Sequence, residues 1–582
     1  MGKVGKLIPF PEYAPDVTPL GSADSQIIFN VVPRADGYGP VQDMTAYSQA
    51  LPGVCRGYFF ARRTDGSISV FAGTATDLYL LNNTNGTWTR VSKGGVSYTQ
   101  LPLTDNWTFV QFNDLVIACQ VNTVPQKYTL TPNTGFVDLG GSPPQAGFVS
   151  VIGFFVVLTA LQSNQIRAFW SDLDAPETWS AGVGLADFQD FPDGGSCVAC
   201  SGGDAYGLIF QEQSMRSMTY AAGNPAIFQF YRISTLEALY AKYSVIQIGN
   251  RVFYLGAAGF KMVTGNDDPV DIGKEKVDRT FFADVDPSSL QLIVGSSAPQ
   301  STRVYFVYRS NSGGAPAGTF DRIMVFDYML NKWTRVNLIG TYLASLAKPG
   351  LTLEQMDALA PQPLLVVSPG VSAGAGGTIR LTLTATSNSY FNISGQNFIT
   401  VYNVVGTGGL TAAVNGVWKP NIIDSTHIDL VGTVWNASYV WTSGGQVGGS
   451  LDAMTFSLDT IAKSAIAQLS IFDDNNVLSF LSGPNLEAQC ETGDADGEGN
   501  FLFTDVVMPI TDATQVYCSV GWRNAPQAPP SYTHESMIDD QGQSPIGGIE
   551  SRYQRGHVRI AYGTNWTYLR GIETDTQLAG ER

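Results

Sequence analysis

The feature that most constrains the fold of this chain is a recurring phrase in which an apolar strand, a tight polar turn and a second apolar strand follow one another. Antiparallel strands joined by Gly, Asn and Asp turns at a period of about 40–50 residues are typical of propeller blades, which bury their faces against neighbouring blades. The sequence therefore predicts an all-β fold, a β-propeller of about six to eight blades. The first five turns lie at Asp65-Gly66, Asn113-Asp114, Gly153, Gly203-Asp204 and Gly249-Asn250. The predicted strand pairs are 58–61 with 68–71, 108–112 with 115–119, 148–152 with 154–158, 197–200 with 208–210, 245–248 with 252–255, and a late copy, 469–472 with 477–480.

A second repeated phrase supports the same fold. Trp88-Thr-Arg-Val and Trp333-Thr-Arg-Val each follow an apolar strand and a polar turn. One interpretation is that the two phrases belong to unrelated hairpins. Four identical consecutive residues in the same context favour equivalent places in two blades of a repeat.

Composition excludes two classes of protein. Only 14% of the residues are charged and 11% are aromatic, whereas disordered chains are rich in charge and poor in aromatic residues. Ala, Glu, Lys, Leu and Arg do not dominate, so a coiled coil is excluded as well. The net charge of −17 has the wrong sign for gripping nucleic-acid phosphates, but it permits a protein past which DNA moves without sticking.

The N-terminus carries no apolar run of the kind that a secretory signal needs. The most apolar stretch, 149–161, is shorter than the roughly 20 residues that cross a bilayer. These observations predict a soluble chain that is made in the cytoplasm and does not insert into membranes.

The cysteines are too sparse for a disulfide framework, since the chain has six in 582 residues. Cys197 and Cys200 form one CxxC, and His427, His534 and His557 lie far from it in sequence. We predict ordinary buried thiols, with a redox or metal role as the alternative, and no cofactor.

Shifts in composition predict the domain boundaries. The segment 361–450 is bounded by Pro- and Gly-rich stretches, and within it 365–446 holds only Arg380, Lys419, Asp424 and Asp429 as charged residues. It is predicted to be a small β-barrel or sandwich inserted into the propeller. The full division is an N-terminal arm with the first strands at 1–56, blades at 57–360, the insert at 361–450, propeller completion at 451–520 and a C-terminal segment packed on the propeller at 521–582. Short helices are expected at 235–243 and 352–360.

One acidic turn matches part of the Asp-box of sialidase-like propellers. Asp174, Thr178 and Trp179 fit that box, whereas its leading Ser and its Gly are missing. In the box, the Asp bonds turn amides and the Trp packs between strands. The match therefore predicts a structural turn and not an activity.

A second acidic stretch has the oxygen spacing of a calcium loop. Asp494, Asp496 and Glu498 are followed by Gly499 and Asp505, but the last position lacks the bidentate Glu and no helices flank the loop. A solvated acidic hairpin is predicted, and ion binding by Asp494, Asp496 and Glu498 is left open. The three histidines offer no triad with a nucleophile elbow, so no catalytic residue is named and no enzyme is expected.

Several stretches resemble the tail nozzle proteins of short-tailed bacteriophages, also described as tail tubular proteins B or packaged-DNA stabilisation proteins. The resemblance starts at Asn30-Val-Val-Pro-Arg-Ala-Asp-Gly-Tyr-Gly-Pro-Val and Leu51-Pro-Gly and covers most of the chain. It carries no catalytic motif, and 409–445 is similar to a small β-module common in phage tail proteins. The other matching stretches, in order, are 169–179, 207–220, 228–232, 244–260, Glu491-Thr-Gly-Asp, Arg552-Tyr553, Gly563-Thr-Asn-Trp and Gly571-Ile-Glu.

The resemblance implies a structural virion protein. It implies a homohexameric ring below the portal and an adaptor ring, with double-stranded DNA passing through the channel without specific binding. Tail fibres or spikes are expected at the periphery and a needle or tip protein below. The channel-lining and gate residues are not identified. A receptor- or glycan-binding propeller and a sialidase-like, glycan-degrading propeller are the alternatives.

Overall fold

The computed structural model describes most of the chain, and its described residues form three β units. These are a propeller, a barrel-like sheet inserted into its last blade, and a sandwich built from both ends of the chain. The described residues are 6–18, 24–63, 66–83, 86–131, 135–204, 206–223, 226–234, 239–298, 301–347, 362–363, 370–383, 399–424, 426–448, 467–497 and 499–581.

Five strands precede the first blade. The first four belong to the sandwich, whereas the fifth belongs to the last blade of the propeller. They are β1 (Lys6–Pro9), β2 (Ile28–Phe29), β3 (Val31–Arg34), β4 (Gly37–Pro40) and β5 (Gln42–Ala50).

Blades 1 to 5 are antiparallel sheets, each built from four consecutive strands. Blade 1 contains β6 (Tyr58–Arg62), β7 (Ile68–Gly73), β8 (Leu78–Leu81) and β9 (Trp88–Arg90). Blade 2 contains β10 (Thr108–Phe112), β11 (Leu115–Gln120), β12 (Thr123–Thr129) and β13 (Val137–Asp138). Blade 3 contains β14 (Ala146–Ile152), β15 (Phe155–Leu161), β16 (Arg167–Trp170) and β17 (Asp187–Asp190). Blade 4 contains β18 (Cys197–Ser201), β19 (Tyr206–Gln211), β20 (Met215–Tyr220) and β21 (Phe228–Ser234). Blade 5 contains β22 (Ile246–Ile248), β23 (Arg251–Gly256), β24 (Gly259–Thr264) and β25 (Val270–Asp271).

Blade 6 follows a short helical segment. That segment holds α1 (Asp278–Asp284) and a 3-10 stretch, Pro287–Leu292. The blade contains β26 (Gly295–Ser297), β27 (Arg303–Tyr308), β28 (Arg322–Asp327) and β29 (Lys332–Val336), and β30 (Tyr342–Ala347) then begins blade 7.

The inserted unit is one nearly closed sheet in the order β31-β37-β34-β35-β36-β33-β32. A short helix, α2 (Leu410–Val414), packs into its core. The strands are β31 (Gln362–Pro363), β32 (Val371–Ala373), β33 (Ile379–Thr382), β34 (Ile399–Thr407), β35 (Gly416–Ile422), β36 (His427–Val431) and β37 (Val440–Gly448).

Blade 7 is completed by strands from two distant parts of the chain. After the insert come β38 (Ala467–Phe472) and β39 (Val477–Asn485), and the blade has the order β30-β38-β39-β5. Its outermost strand is therefore the N-terminal β5. The first strand of blade 7 contacts the first strand of blade 1, so the ring of blades is closed.

The sandwich takes the remaining strands. One layer has the order β3-β4-β48-β42-β46, with β1 and β49 at its side. The other layer, β2-β40-β47-β43-β44, is hydrogen-bonded to blade 6, because β2 pairs in parallel with β29. The strands are β40 (Ala488–Glu491), β41 (Ala495–Asp496), β42 (Asn500–Thr511), β43 (Val516–Arg523), β44 (Ser531–Tyr532), β45 (Ser536–Met537), β46 (Ser544–Ser551), β47 (Tyr553–Ile560), β48 (Leu569–Thr574) and β49 (Gln577–Glu581).

The second strand of each blade explains the apolar runs in the sequence. Both faces of a blade pack on neighbouring blades, so a strand in its middle is buried at nearly every position. β7 is buried along its whole length, and β11, β19, β23 and β27 are buried at all positions but the first. Continuous apolar runs are therefore expected at these strands, and the sequence has them.

The predicted fold class is confirmed, since the described residues form seven four-stranded blades and a barrel-like insert. All six predicted hairpins are confirmed. The repeated Trp-Thr-Arg-Val phrase occupies the fourth strand of blades 1 and 6.

Other expectations meet the structure only in part. Within 451–520, β38 and β39 complete blade 7, whereas β40–β43 join the sandwich. Of the helix expected at 235–243, residues 235–238 lie outside the described residues, 239–241 are not helical, and a 3-10 turn covers Lys242–Ser244; the helix expected at 352–360 lies outside the described residues. In the described part of the chain, we find no helix with the length and apolar character to span a bilayer.

Asp278, the first residue of α1, is a buried carboxylate. Its Oδ1 accepts a hydrogen bond from the Phe260 amide at 3.0 Å. Burial raises the pKa of Asp278 to about 6, the nearby carboxylates of Asp16 and Asp271 add to this, and the Phe260 bond and Lys261 oppose it. Because the ordinary pKa is 3.8, this group's contribution to stability is complete below about pH 4 and is lost as the pH rises through about 6.

We therefore expect Asp278→Asn to stabilise the protein more at about pH 8 than at about pH 5, by a difference of about 1–2 kcal/mol after allowance for partial solvation. Urea unfolding at the two pH values measures it. Asp267→Asn, at an exposed position, is the control. Equal effects of Asp278→Asn at both pH values would contradict the expectation.

Candidate functional site

The propeller axis is the candidate site, because the first strands of the blades surround it. The innermost strands of neighbouring blades contact one another, except that β18 of blade 4 contacts the 3-10 turn Lys242–Ser244, which precedes β22 of blade 5. Each blade starts at its innermost strand, so these strands begin at one end of the axis, here called the entry end. The innermost strands end at the hairpin turns that join them to the second strands, and these turns mark the other end of the axis, here called the exit end.

The entry end is closed by a polar cluster from the loops that precede the blades, which we call the axial plug: Arg56, Asp105, Asn106, Lys242 and Tyr243. Lys242 Nζ contacts the Asp105 carboxylate. The amide of Asn106 donates to the Tyr243 hydroxyl at 2.7 Å, and Arg56 Nε donates to Asn106 Oδ1 at 2.8 Å. Burial raises the pKa of Tyr243 well above its usual value, so the hydroxyl stays protonated and donates as well as accepts.

Two further contacts extend the axial plug across the axis. Asn106 Nδ2 donates to the carbonyl of Gln291, which precedes blade 6, at 2.9 Å. The ring of Tyr243 stacks on Phe148 of blade 3 with a centroid distance of 5.3 Å. Residues that precede blades 1, 2, 5 and 6 thus meet a strand of blade 3 at one point. Contacts among so many blades place the axial plug near the propeller axis.

Above the axial plug lies a cavity of about 380 Å³, which we call the axial pocket. Its walls come from the innermost strands of blades 2 to 5 and from the turns at their exit ends. Phe109, Val149 and Val245 are among its apolar lining residues, and Ser201 and Gln247 are among its polar ones.

Three polar side-chain atoms of residues that line the axial pocket lack a hydrogen-bond partner among the described residues: Ser150 Oγ, Ser201 Oγ and Gln247 Oε1. Ser201, 6% exposed, has a buried Oγ without a hydrogen bond, and Gln247 has a buried Oε1 without one. The other end of the Gln247 amide is fixed, since its Nε2 donates to the Gly249 carbonyl at 3.2 Å. Buried polar atoms in folded proteins are usually paired, so this pocket offers hydrogen bonds to a ligand or to water.

Glycines in the wall of the axial pocket let the backbones of neighbouring blades approach closely. A Cβ at Gly202 would lie 2.0 Å from the Val151 carbonyl oxygen and 2.3 Å from Ser150 Oγ. The Gly153 amide donates to the Gly203 carbonyl at 2.9 Å, which ties the turns of blades 3 and 4 together. The sequence placed a turn at Gly203-Asp204, and the structure shows that close approach requires a glycine at the preceding residue, Gly202.

The Asp-box-like stretch forms a structural turn, as predicted. The indole of Trp179 is buried and donates to the Pro176 carbonyl at 2.8 Å. Asp172 Oδ1 accepts from the Leu185 amide at 2.7 Å, and Asp174 has a φ of 53°, a left-handed conformation. The carboxylate that bonds the turn amides is thus that of Asp172, whereas Asp174 forms the bend and its Oδ1 accepts from Asn113 Nδ2.

The calcium-like stretch is part of an arginine–carboxylate cluster in the sandwich: Glu491, Asp494, Arg523, Tyr532 and Arg555. Arg555 Nη1 lies 2.8 Å from Glu491 Oε1, and Arg555 Nε lies 2.6 Å from Asp494 Oδ1. Arg523 contacts the second oxygen of Asp494, and the Tyr532 hydroxyl donates to Glu491 Oε2 at 2.6 Å. Burial lowers the pKa of Arg555, but the bonds to Asp494 and Glu491 outweigh it and the net pKa is raised.

This cluster corrects the prediction of a solvated acidic hairpin. The Asp494 side chain is only 2% exposed and is held by two guanidinium groups, so the prediction is wrong at this residue. Asp496 is exposed in β41, and Glu498 lies outside the described residues. In the described part of the chain, no three metal-ligating side chains come together.

The thiols of the CxxC lie on opposite sides of a strand. Cys197 belongs to the core between blades 3 and 4, whereas Cys200 faces another core. Burial raises the pKa of each thiol to about 12. They are buried and protonated, as the sequence predicted. The histidines also lie apart: His427 is in the insert beside Asp424, and His557 is in β47.

Several solved structures are similar to parts of this chain. No protein-family model and no curated protein matches the chain. The WD40 domain of Neurospora crassa Pan2 is similar over 53% of this chain and 90% of that chain, at 9% identity and a TM-score of 0.33. The β-propeller domain of Myceliophteria thermophila Cps50 (Swd1) is similar over 39% of this chain and 67% of that chain, at 9% identity and a TM-score of 0.26. A quinonprotein alcohol dehydrogenase-like protein from Bacteroides thetaiotaomicron is similar over 48% of this chain and 65% of that chain, at 12% identity and a TM-score of 0.29. The blade count rests on the strand pairing and not on these values.

Proposed function

We propose that this chain is a structural virion protein, the tail nozzle of a short-tailed bacteriophage. In this proposal, a homohexameric ring continues the DNA channel below the portal and adaptor, retains the packaged genome and allows its ejection. Tail fibres or spikes dock at the periphery, and a needle or tip protein lies below. The ordered nozzle-like stretches along most of the sequence are the first support for this function.

The observation that carries the proposal is the rigid coupling of the propeller to the sandwich. One sheet runs without a break from the innermost strand of blade 6 through β29 and β2 into β40, β47 and β43. One apolar core joins Phe260 and Trp333 of the propeller to Cys518 and Val558 of the sandwich. A wall that must withstand the pressure of packaged DNA benefits from two bodies without a hinge between them.

The nozzle-like motifs near the C-terminus also fit a mechanical role. Glu491 and Asp494 are the ends of the Glu-Thr-Gly-Asp stretch, and both bind Arg555, which lies just after Arg552-Tyr553. Buried ion pairs therefore join the Glu-Thr-Gly-Asp stretch to a residue two positions after Arg552-Tyr553. Such pairs fix the geometry of a structural element and need no substrate.

In this proposal, DNA passes between copies of the chain and not through the propeller, because the axial plug closes the entry end of the propeller axis. Each copy carries a net charge of −17. Acidic groups at the lumen repel DNA phosphates within a Debye length of about 8 Å at physiological salt, so the genome leaves without adhering to the wall. Retention then depends on a physical gate.

Reconstitution tests the proposal. The purified chain, mixed with the portal and adaptor proteins of a short-tailed phage whose nozzle shares these motifs, should form rings with an axial hole in negative-stain images. Mass photometry should give an added mass of about six times the 62.5 kDa of the chain. A chain that stays monomeric with both partners, or a cryo-EM lumen lined mainly by Lys and Arg, would contradict the proposal.

A further inference from the structure

We propose that the axial pocket binds a single neutral sugar residue. This site is additional to the ring function, since the pocket lies within one copy and needs no neighbour. The pocket is open to solvent, and the turn residues Gly153 and Gly203-Asp204 in its lining place that opening at the exit end. Its volume of about 380 Å³ lies in the lower part of the range for small-molecule sites, roughly 300–1,000 Å³, and suits one sugar ring with its substituents.

The unpartnered polar atoms set the hydrogen bonds that a ligand must make. Ser201 Oγ can donate or accept, and Gln247 Oε1 accepts. A ligand with hydroxyl groups satisfies both, because each hydroxyl also donates and accepts. A buried serine hydroxyl without a protein partner lowers stability, so a ligand that bonds Ser201 Oγ would offset that cost.

The remaining lining selects a ligand with an apolar face and without negative charge. Phe109, Val149 and Val245 form apolar walls, against which the C–H face of a pyranose ring packs. Among the described residues that line the pocket, Asp204 is the one carboxylate, and no Lys or Arg is present. The electrostatic potential at the pocket is therefore negative, which disfavours acidic sugars and phosphate esters. A neutral hexose or N-acetylhexosamine therefore fits better than a sialic acid.

Saturation-transfer NMR and titration calorimetry with the purified full-length chain test this inference. The probes are glucose, galactose, mannose and N-acetylglucosamine at up to about 50 mM, with N-acetylneuraminic acid as the acidic comparison. At least one neutral sugar should bind saturably, and the acidic sugar should not.

Two variants link that binding to the axial pocket. Ser201→Ala removes the unpartnered hydroxyl and should weaken binding about three- to tenfold while leaving the urea midpoint unchanged or raised. Gln247→Leu removes the acceptor and should weaken binding by a similar factor. Ser217→Ala is the matched control: Ser217 is fully buried in the same blade, also has an Oγ without a partner, and does not line the pocket.

The inference is overturned if no neutral sugar binds to the folded chain, if the acidic sugar binds more tightly, or if both pocket variants bind the sugar as tightly as Ser217→Ala. Should Ser201→Ala fail to fold, Gln247→Leu decides alone. Ring formation with the portal and adaptor is measured on the same variants. Loss of sugar binding with intact rings leaves the nozzle proposal untouched, and sugar binding by a chain that forms no rings refutes only the nozzle.

Discussion

Replacing Arg555 by Met should lower the free energy of unfolding by about 3–5 kcal/mol. This is the largest effect that we expect from the loss of a single buried charge in this chain. The change leaves Glu491 with the Tyr532 hydroxyl and Asp494 with Arg523 as their remaining partners. Both carboxylates are nearly inaccessible to water, at 1% and 2% exposure. Water therefore does not replace the lost guanidinium.

Urea unfolding followed by circular dichroism measures this loss, and Arg570→Met is the matched control. Arg570 lies in β48 of the same sandwich and pairs with Asp36 at 3.4 Å, but the two side chains are 49% and 56% exposed. Exposed pairs contribute at most about 1 kcal/mol. Similar losses for Arg555→Met and Arg570→Met would refute the buried cluster as a stabilising element.

A double variant separates the origin of the loss. In Arg555→Met with Glu491→Gln, one of the two stranded charges is gone, so part of the lost stability should return. Failure to regain any stability would mean that the loss comes from the packing of the arginine stem and not from charge.

Trp333→Ala should destabilise the protein by about 3–5 kcal/mol, and Trp88→Ala by about 1–2 kcal/mol, although the two residues hold the same place in a repeated phrase. Trp333 is fully buried, lies 4.7 Å from the ring of Phe326 and 5.0 Å from that of Phe260, and donates to the Ile272 carbonyl at 2.8 Å. Its loss opens a cavity and leaves that carbonyl without its donor.

Trp88 differs because its strand, β9, is the outer strand of blade 1, whereas β29 is covered by β2. The Trp88 indole is half-buried and donates to the Gln49 carbonyl at 3.0 Å, and its ring lies 5.9 Å from that of Phe472. The urea midpoints of the two variants, followed by circular dichroism, measure the difference. Equal shifts would show that the sandwich does not strengthen blade 6.

The blades were predictable from sequence because their signals are local. A hairpin such as β10–β11 needs only two apolar runs and the turn Asn113-Asp114, and Asn113 indeed adopts a φ of 51°. Seven such units then specify a ring, since each unit has two apolar faces to cover. The repeated tryptophan phrase marked the equivalent strands correctly for the same reason.

The sandwich and the axial plug could not be predicted in this way. β2 pairs with both Arg335 and Gln489 through Phe29, and no local pattern records a register between strands so far apart in sequence. Asp105 and Lys242 meet across the axis from loops that have no periodicity. Asp494 looked like a calcium ligand because its spacing was visible in the sequence, whereas its partners Arg523 and Arg555 were not.

The place of β5 in blade 7 has a consequence for biosynthesis. β5 spans Gln42–Ala50, but its partner β39 ends at Asn485, so the first of these strands leaves the ribosome long before the second exists. During synthesis, blades 1 to 6 therefore form an open ring in which the outer faces of blade 1 and blade 6 are not yet covered by blade 7. Synthesis of β39 and the strands after it closes the ring of blades and completes the sandwich, whose β1–β4 come from the N-terminal part of the chain. A ring that stays open for long exposes strand edges to chaperones and to pairing with a second nascent chain.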